Sequence, residues 1–228
     1  SIGPNSFPTL LFNSMVHPLI PYTIKGAIWY QGESNAGRAF QYRKAFPLLI
    51  NDWRQRWGQG DFPFYFVQLA SYKADGGTTA TGSTWAELRE AQAATLALPR
   101  TGMAVTLDIG DTDDIHPRNK QEVGRRLALV AFHDTYGKTL PHSGPVYQSV
   151  ERNGRQLIIR FTHTDQGLKI GNGRELRGFE IAGEDRQFKP AHAVIEDHTV
   201  VLTSDAVAQP VAARYAWADD AGTANLYN

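Results

Sequence analysis

A chain of 228 residues with 23 Lys plus Arg against 23 Asp plus Glu has a formal net charge of zero, so no broad field draws it to nucleic acid or to an anionic membrane. It contains no cysteine, which excludes disulfides, a thiolate nucleophile and thiolate metal sites and leaves the redox compartment open. The length allows one large domain or two smaller ones; no apolar run approaches the roughly 20 residues that span a bilayer, and residues 1–8 lack the basic start and apolar centre of a signal peptide.

Up to residue 140, short apolar runs at 25–31, 62–70 and 102–107 alternate with helical patterns, the sign of a sheet flanked by helices. Between the first two runs, Tyr42, Phe46, Leu49, Ile50, Trp53 and Trp57 recur at helical spacing. Pro47 is expected to start, kink or divide that helix, and Gly58 and Gly60 to end it. Ser83 is the expected N-cap of a second helix carrying Trp85, Leu88 and Gln92, with Pro99 as its stop. A third helix is expected from Pro117 to about Tyr136, with Val123, Leu127, Val130 and Ala131 on its apolar face and Arg118, Lys120, Arg125 and Arg126 on a solvated one. The Gly/Thr-rich stretch 75–83 reads as a loop bordering a site.

Beyond residue 140 the period changes to two, with strands expected at 146–150, 156–161, 178–182, 193–195, 199–203 and 211–217. Asn153-Gly154, Gly183-Glu184-Asp185 and Asp197-His198 mark turns between them. The expectation is a small antiparallel sandwich.

Two blocks carry the chemistry. In Trp29-Tyr30-Gln31-Gly32-Glu33-Ser34-Asn35-Ala36 a strand meets a loop, where open α/β sheets place their sites. One reading takes Ser34 as a nucleophile on a Gly-x-Ser-x-small elbow. The other takes Gln31 and Gly32 as donors to an oxyanion, Glu33 as an orienting carboxylate, and Ser34 and Asn35 as turn formers. In Asp113-Asp114-Ile115-His116-Pro117, proline at the first helical position makes His116 the expected N-cap residue, a fixed imidazole suited to general base catalysis. Asp113, three residues back, is the favoured orienting acid, with Asp114 and Glu33 as alternatives. Asp108, Asp111, Asp113 and Asp114 crowd one loop but miss the calcium-loop pattern, where Ile115 and His116 fall on ligand and glycine positions. The seven histidines show no helical ligand pairing for zinc.

These blocks, with Asp-Trp-Arg-Gln-Arg-Trp-Gly at 52–58, Phe-Pro-Phe-Tyr-Phe-Val-Gln-Leu-Ala at 62–70 and Asp-Ile-His-Pro-Arg-Asn-Lys at 114–120, resemble the sialate O-acetylesterase family of carbohydrate esterases over nearly the whole chain. The resemblance implies an α/β fold: part of an SGNH (flavodoxin-like) three-layer α/β/α sheet over residues 1–140, then a small antiparallel β-sandwich domain over 141–228. It implies serine-type hydrolysis of acetyl esters on carbohydrate without a cofactor or metal, with catalytic His116, Asp113 and Asp114, and Gln31, Gly32 and Glu33 in oxyanion and support roles. The family's Gly-Gln-Ser-Asn nucleophile block is absent from these residues. The nucleophilic serine is therefore expected from an upstream segment or a second chain, residues 1–8 reading as the tail of a connection. The expected partners are that segment and an acetylated carbohydrate, not nucleic acid or membrane, and the resemblance favours the periplasm or secretion. Trp29, Tyr30 and Tyr72 are candidates to line the pocket. A noncatalytic carbohydrate-binding or scaffolding fragment is the alternative.

Overall fold

The computed structural model describes residue 3, residues 7–78 and residues 80–228; residues 1, 2, 4–6 and 79, within the expected N-terminal connection and the 75–83 loop, lie outside the described residues. Strands β1 (Ala27–Trp29), β2 (Phe64–Val67) and β3 (Thr101–Ala104) form a parallel sheet in the order β1-β2-β3. The central strand is an unbroken Phe-Tyr-Phe-Val run because both of its faces are covered. Phe64 and Phe66 turn toward helices α1 (Ala39–Trp57) and α2 (Thr84–Ala94), and Tyr65 and Val67 toward α3 (Lys120–Asp134). The layering is α/β/α.

Two of the three helices follow the predicted signals closely. Ser83 caps α2 by accepting the Ala86 N–H at 2.9 Å, and Gly58, at φ +63°, closes α1 by donating to the Arg54 carbonyl at 3.1 Å. Pro47 does not divide α1, which runs through it for 19 residues. Tyr42 and Phe46 before it and Ile50 after it are all buried in one core with Phe64 and Phe66, and that shared face outweighs the hydrogen bond a proline removes. The third helix differs at its start. Its N-cap is Asn119, whose Oδ1 accepts the Glu122 N–H at 3.2 Å, so Pro117 lies outside the helix and His116 is not its cap.

In the second half, β4 (Val146–Asn153), β5 (Gln156–Thr162), β10 (Thr199–Thr203) and β9 (His192–Glu196) form one antiparallel sheet, in the order β4-β5-β10-β9. A second sheet orders β11 (Ala212–Tyr215), β7 (Phe179–Ala182) and β8 (Lys189–Pro190). Alternate residues Leu157, Ile159, Phe179, Ile181, Val200 and Leu202 meet in one core cluster, as period two requires. Asn153 pairs with Gln156 across Gly154, at φ +59°, and Glu196 pairs with Thr199 across Asp197-His198. The Arg186 N–H returns to the Gly183 carbonyl at 3.1 Å, closing the third expected turn. Strands β6 (Lys169–Ile170), β8 and β12 (Leu226–Tyr227) were not predicted, because two residues display no period.

The second half does not stand apart from the first. After β11 the chain returns to the first core, where Asp219 lies buried beneath the 75–83 loop.

Candidate active site

The loops that follow β2 and β3 are stitched together at the carboxyl end of the sheet. Thr106 Oγ1 donates to the Gln68 carbonyl at 2.7 Å, Ser71 Oγ to the Leu107 carbonyl at 2.8 Å, and the Lys73 N–H to the Thr112 carbonyl at 2.9 Å. Gly110 lets these loops touch, since a Cβ there would stand 2.2 Å from the Ser71 carbonyl oxygen. Arg126 extends the frame to α3. Its guanidinium grips Asp108 bidentately at 2.6 and 2.7 Å, reaches Glu122 at 2.8 Å and donates to the Val105 carbonyl at 2.7 Å. Arg126 is therefore a half-buried tie, not part of a solvated basic face. Hydrogen bonding to Arg125 and Arg126 pulls the Glu122 carboxyl down to about 2.

His116 leaves this frame on its surface. Ile115 before it packs against the first core and Pro117 after it is buried, while the His116 side chain is 86% exposed. Asp114 folds back on the turn: its Oδ1 accepts the His116 N–H at 2.8 Å and lies 3.6 Å from Nδ1 of the ring. Asp113 instead presents its N–H to Asp111 Oδ1 at 3.1 Å and forms no ion pair with His116, and neither does Glu33. Of the candidate acids, Asp114 is the one placed beside the ring, because a two-residue Asx turn folds it back onto the His116 N–H. The crowded aspartates have other occupations: Asp108 serves Arg126, while Asp111 and Asp114 accept backbone N–H groups.

The Gln31 corner is built tightly. Gln31 Nε2 donates to Asn35 Oδ1 at 2.7 Å, its Oε1 accepts from the Tyr42 hydroxyl at 3.2 Å, and its carbonyl accepts from Gln92 Nε2 at 3.2 Å. Gly32 is buried at φ +152°, and a Cβ on it would meet Gln92 Nε2 at 3.1 Å and Leu88 Cδ2 at 3.2 Å. Glu33 opens the 3-10 turn Glu33–Arg38 and is partly buried. Burial, then its charge, raises the Tyr30 hydroxyl to about 12; burial likewise raises Tyr42 to about 12, with a smaller contribution from Glu33. Ser34 is exposed within the 3-10 turn and makes no side-chain hydrogen bond with His116 among the described residues.

The aromatic candidates are mostly structural. Trp29 packs among Phe46, Trp53 and Phe64 at ring separations of 5.8–6.5 Å, so it belongs to the core and not to a sugar platform. Tyr72 lies on Trp85 at 5.5 Å, and Tyr30 carries the Lys120 ammonium 4.7 Å from its ring centre. The 75–83 loop does border a hollow, of about 260 Å³, lined by Thr78, Glu180, Trp217 and Asp220.

The segment that closes this side went unread in the sequence. Asp219 accepts the Gly77 N–H at 2.8 Å, the Asp75 N–H at 3.2 Å and the Ser83 hydroxyl at 2.6 Å, and buried Arg89 donates to the carbonyls of Ala216, Ala218 and Asp219. Burial pulls the Arg89 guanidinium down to about 10, against the carboxylates of Asp219 and Asp220. An arginine in the middle of a predicted helix, at Trp85-x-x-x-Arg89 on its apolar side, was the available signal.

Fold and site together define a class: mixed α/β proteins presenting a histidine and an acid at the carboxyl end of a parallel sheet. Residues 9–133 match the family described as carbohydrate esterase, sialic acid-specific acetylesterase, and the chain belongs to that family. It is 37% identical over 233 residues to the sialate O-acetylesterase of Mus musculus, covering 92% of this chain and 42% of that protein. It is 34% identical over 239 residues to that of Homo sapiens, covering 94% and 45%. A carbohydrate acetylesterase from Xanthomonas citri superposes with a TM-score of 0.93 at 48% identity, covering 98% of this chain and 52% of that one. The chain spans about half the length, or somewhat less, of these relatives.

Proposed function

We propose that these residues form the histidine-bearing part of a carbohydrate O-acetylesterase. A serine hydroxyl from a segment upstream of residue 1 attacks the acetyl carbonyl while His116 takes its proton. The proton then passes to the sugar oxygen as the ester bond breaks, and water, deprotonated by the same ring, releases acetate from the acyl-serine. Asp114 holds the Nδ1 side of the imidazole. Gln31 and Gly32 are assigned to the oxyanion; because a hydrogen of the Gln31 amide is spent on Asn35, the Gly32 N–H is the principal donor. Such a donor is typically worth about 3 kcal/mol in the transition state. Glu33 and Tyr30 support that corner electrostatically.

The observation that carries this reading is the His116 ring itself: largely exposed, beside an acid pinned by its own backbone N–H, on a loop fixed to the carboxyl end of the sheet. The sheet edge supports the upstream segment. Ile28 of β1 faces the α3 side, yet α3 packs on β2 and β3, leaving Ile28 70% exposed. A parallel sheet normally has both faces covered, and a further strand and helix delivered alongside β1 would cover this one. The substrate class, an acetyl ester on a sugar hydroxyl, is taken from the family and from the carbohydrate acetylesterase on which the chain superposes.

The test uses 4-nitrophenyl acetate with the 228-residue chain alone and with the upstream segment added. The expected result is no turnover alone and turnover on mixing. Turnover by the chain alone that Ser34→Ala abolishes would move the nucleophile to Ser34. Binding of acetylated glycan without hydrolysis in either mixture would return the chain to a noncatalytic role.

A further inference from the structure

Three histidines from three different segments meet where α3 gives way to the sandwich. His133 lies in the last turn of α3, His142 in the connection to β4, and His163 immediately after β5. The rings of His133 and His142 stack at 3.6 Å between centroids with 14° between planes, and His163 stands edge-on to His142 at 5.2 Å. His133 Nδ1 lies 2.6 Å from Asp134 Oδ1, and one donor atom from each of His133, Asp134 and His142 falls within 4.8 Å of the other two.

The surrounding backbone holds this arrangement from several sides. Asn228 Nδ2 donates to the carbonyls of Ser143 and His163, at 2.9 and 2.6 Å, tying the residue after His142 to His163. His163 is in the left-handed region at φ +59°, uncommon outside glycine, and its Nδ1 meets Thr162 Oγ1 at 3.0 Å. None of these residues belongs to the loops around His116.

We propose that His133, Asp134 and His142 bind a divalent transition-metal ion of the zinc type, with His163 adjacent as a fourth donor, and that the ion clamps the end of α3 to the sandwich. The chemistry selects that class. Two imidazoles and one carboxylate without sulfur suit zinc and its late first-row neighbours, whereas magnesium and calcium take oxygen. Zinc holds such donors at about 2.0–2.1 Å, which in a tetrahedron separates them by roughly 3.3 Å; the donor atoms here lie within 4.8 Å of one another. Imidazole and carboxylate bind a metal only in their deprotonated forms, so uptake weakens in acid. Sequence spacing concealed the site because its ligands come from a helix end, a connection and a strand end.

The experiment is isothermal titration of the untagged, EDTA-dialysed 228-residue chain with zinc chloride at neutral pH, with histidine ring resonances followed by NMR. The expected result is saturable uptake of about one ion per chain, shifts at His133 and His142, a raised melting temperature, and affinity weakened at least about tenfold by His142→Ala and by Asp134→Asn. Should His142→Ala fail to fold, His142→Gln carries the same comparison. Absence of saturable uptake, affinity unchanged in these variants, or shifts confined to other histidines would overturn the assignment.

Discussion

His116 and Asp114 sit at the most exposed point of the candidate site, joined by one turn of backbone rather than by packing. Asp114→Asn keeps an acceptor for the His116 N–H while removing the charge beside Nδ1. In the assembled enzyme kcat is expected to fall by about 10²-fold or more, while Asp113→Asn stays near the parent value. Steady-state kinetics of the two variants decide between the aspartates, and the reverse order would give the role to Asp113. The sequence offered the histidine and both acids, and the three-residue spacing favoured Asp113. The turn folds back the Asp114 carboxylate, which accepts the His116 N–H, while Asp113 contributes its backbone N–H to Asp111 Oδ1.

At the scale of elements, the site rests on tight local devices. Gly32 has a φ of +152°, which side chains rarely adopt, and a Cβ there would crowd Gln92 and Leu88, so Gly32→Ala is expected to destabilise the fold by about 1–3 kcal/mol, measured by chemical denaturation; an unchanged midpoint would contradict the strain. Asp219 binds the 75–83 loop to the cap of α2. Burial pushes its carboxyl up, but hydrogen bonds from Ser83 and from the Gly77 and Asp75 N–H groups pull it below its ordinary value. A depressed folded pKa adds stability that is full above the unfolded value and lost as pH falls through the folded one. Asp219→Asn should therefore cost about 1–3 kcal/mol at neutral pH and flatten the loss of melting temperature below about pH 4. A variant as acid-sensitive as the parent would refute this. The caps of α1 and α2 were legible because Gly58 and Ser83 act within a few residues. The start of α3 was misread through Pro117, although Asn119-Lys120-Gln121-Glu122 carries the capping spacing that the helix uses.

For the whole molecule, period and turn residues were enough to expect a parallel sheet between helices and an antiparallel sandwich after it. They could not reveal the return of the chain after β11, where Asp219 and Asn228 act on partners 65 to 144 residues away in sequence: Asp219 receives the Asp75 N–H and Asn228 donates to His163 and Ser143. Long-range polar closure leaves no local pattern. The same holds for the edge of β1, where Ile28 is exposed although it lies on a strand of a parallel sheet. In the proposed mechanism an upstream segment supplies the attacking oxygen and His116 of this chain carries the proton. The most direct test of that role is acetate release from an acetylated sugar by the assembled enzyme carrying His116→Ala. The expected outcome is a loss of about 10²–10⁴-fold in kcat with KM little changed. Turnover within a few-fold of the parent would contradict it.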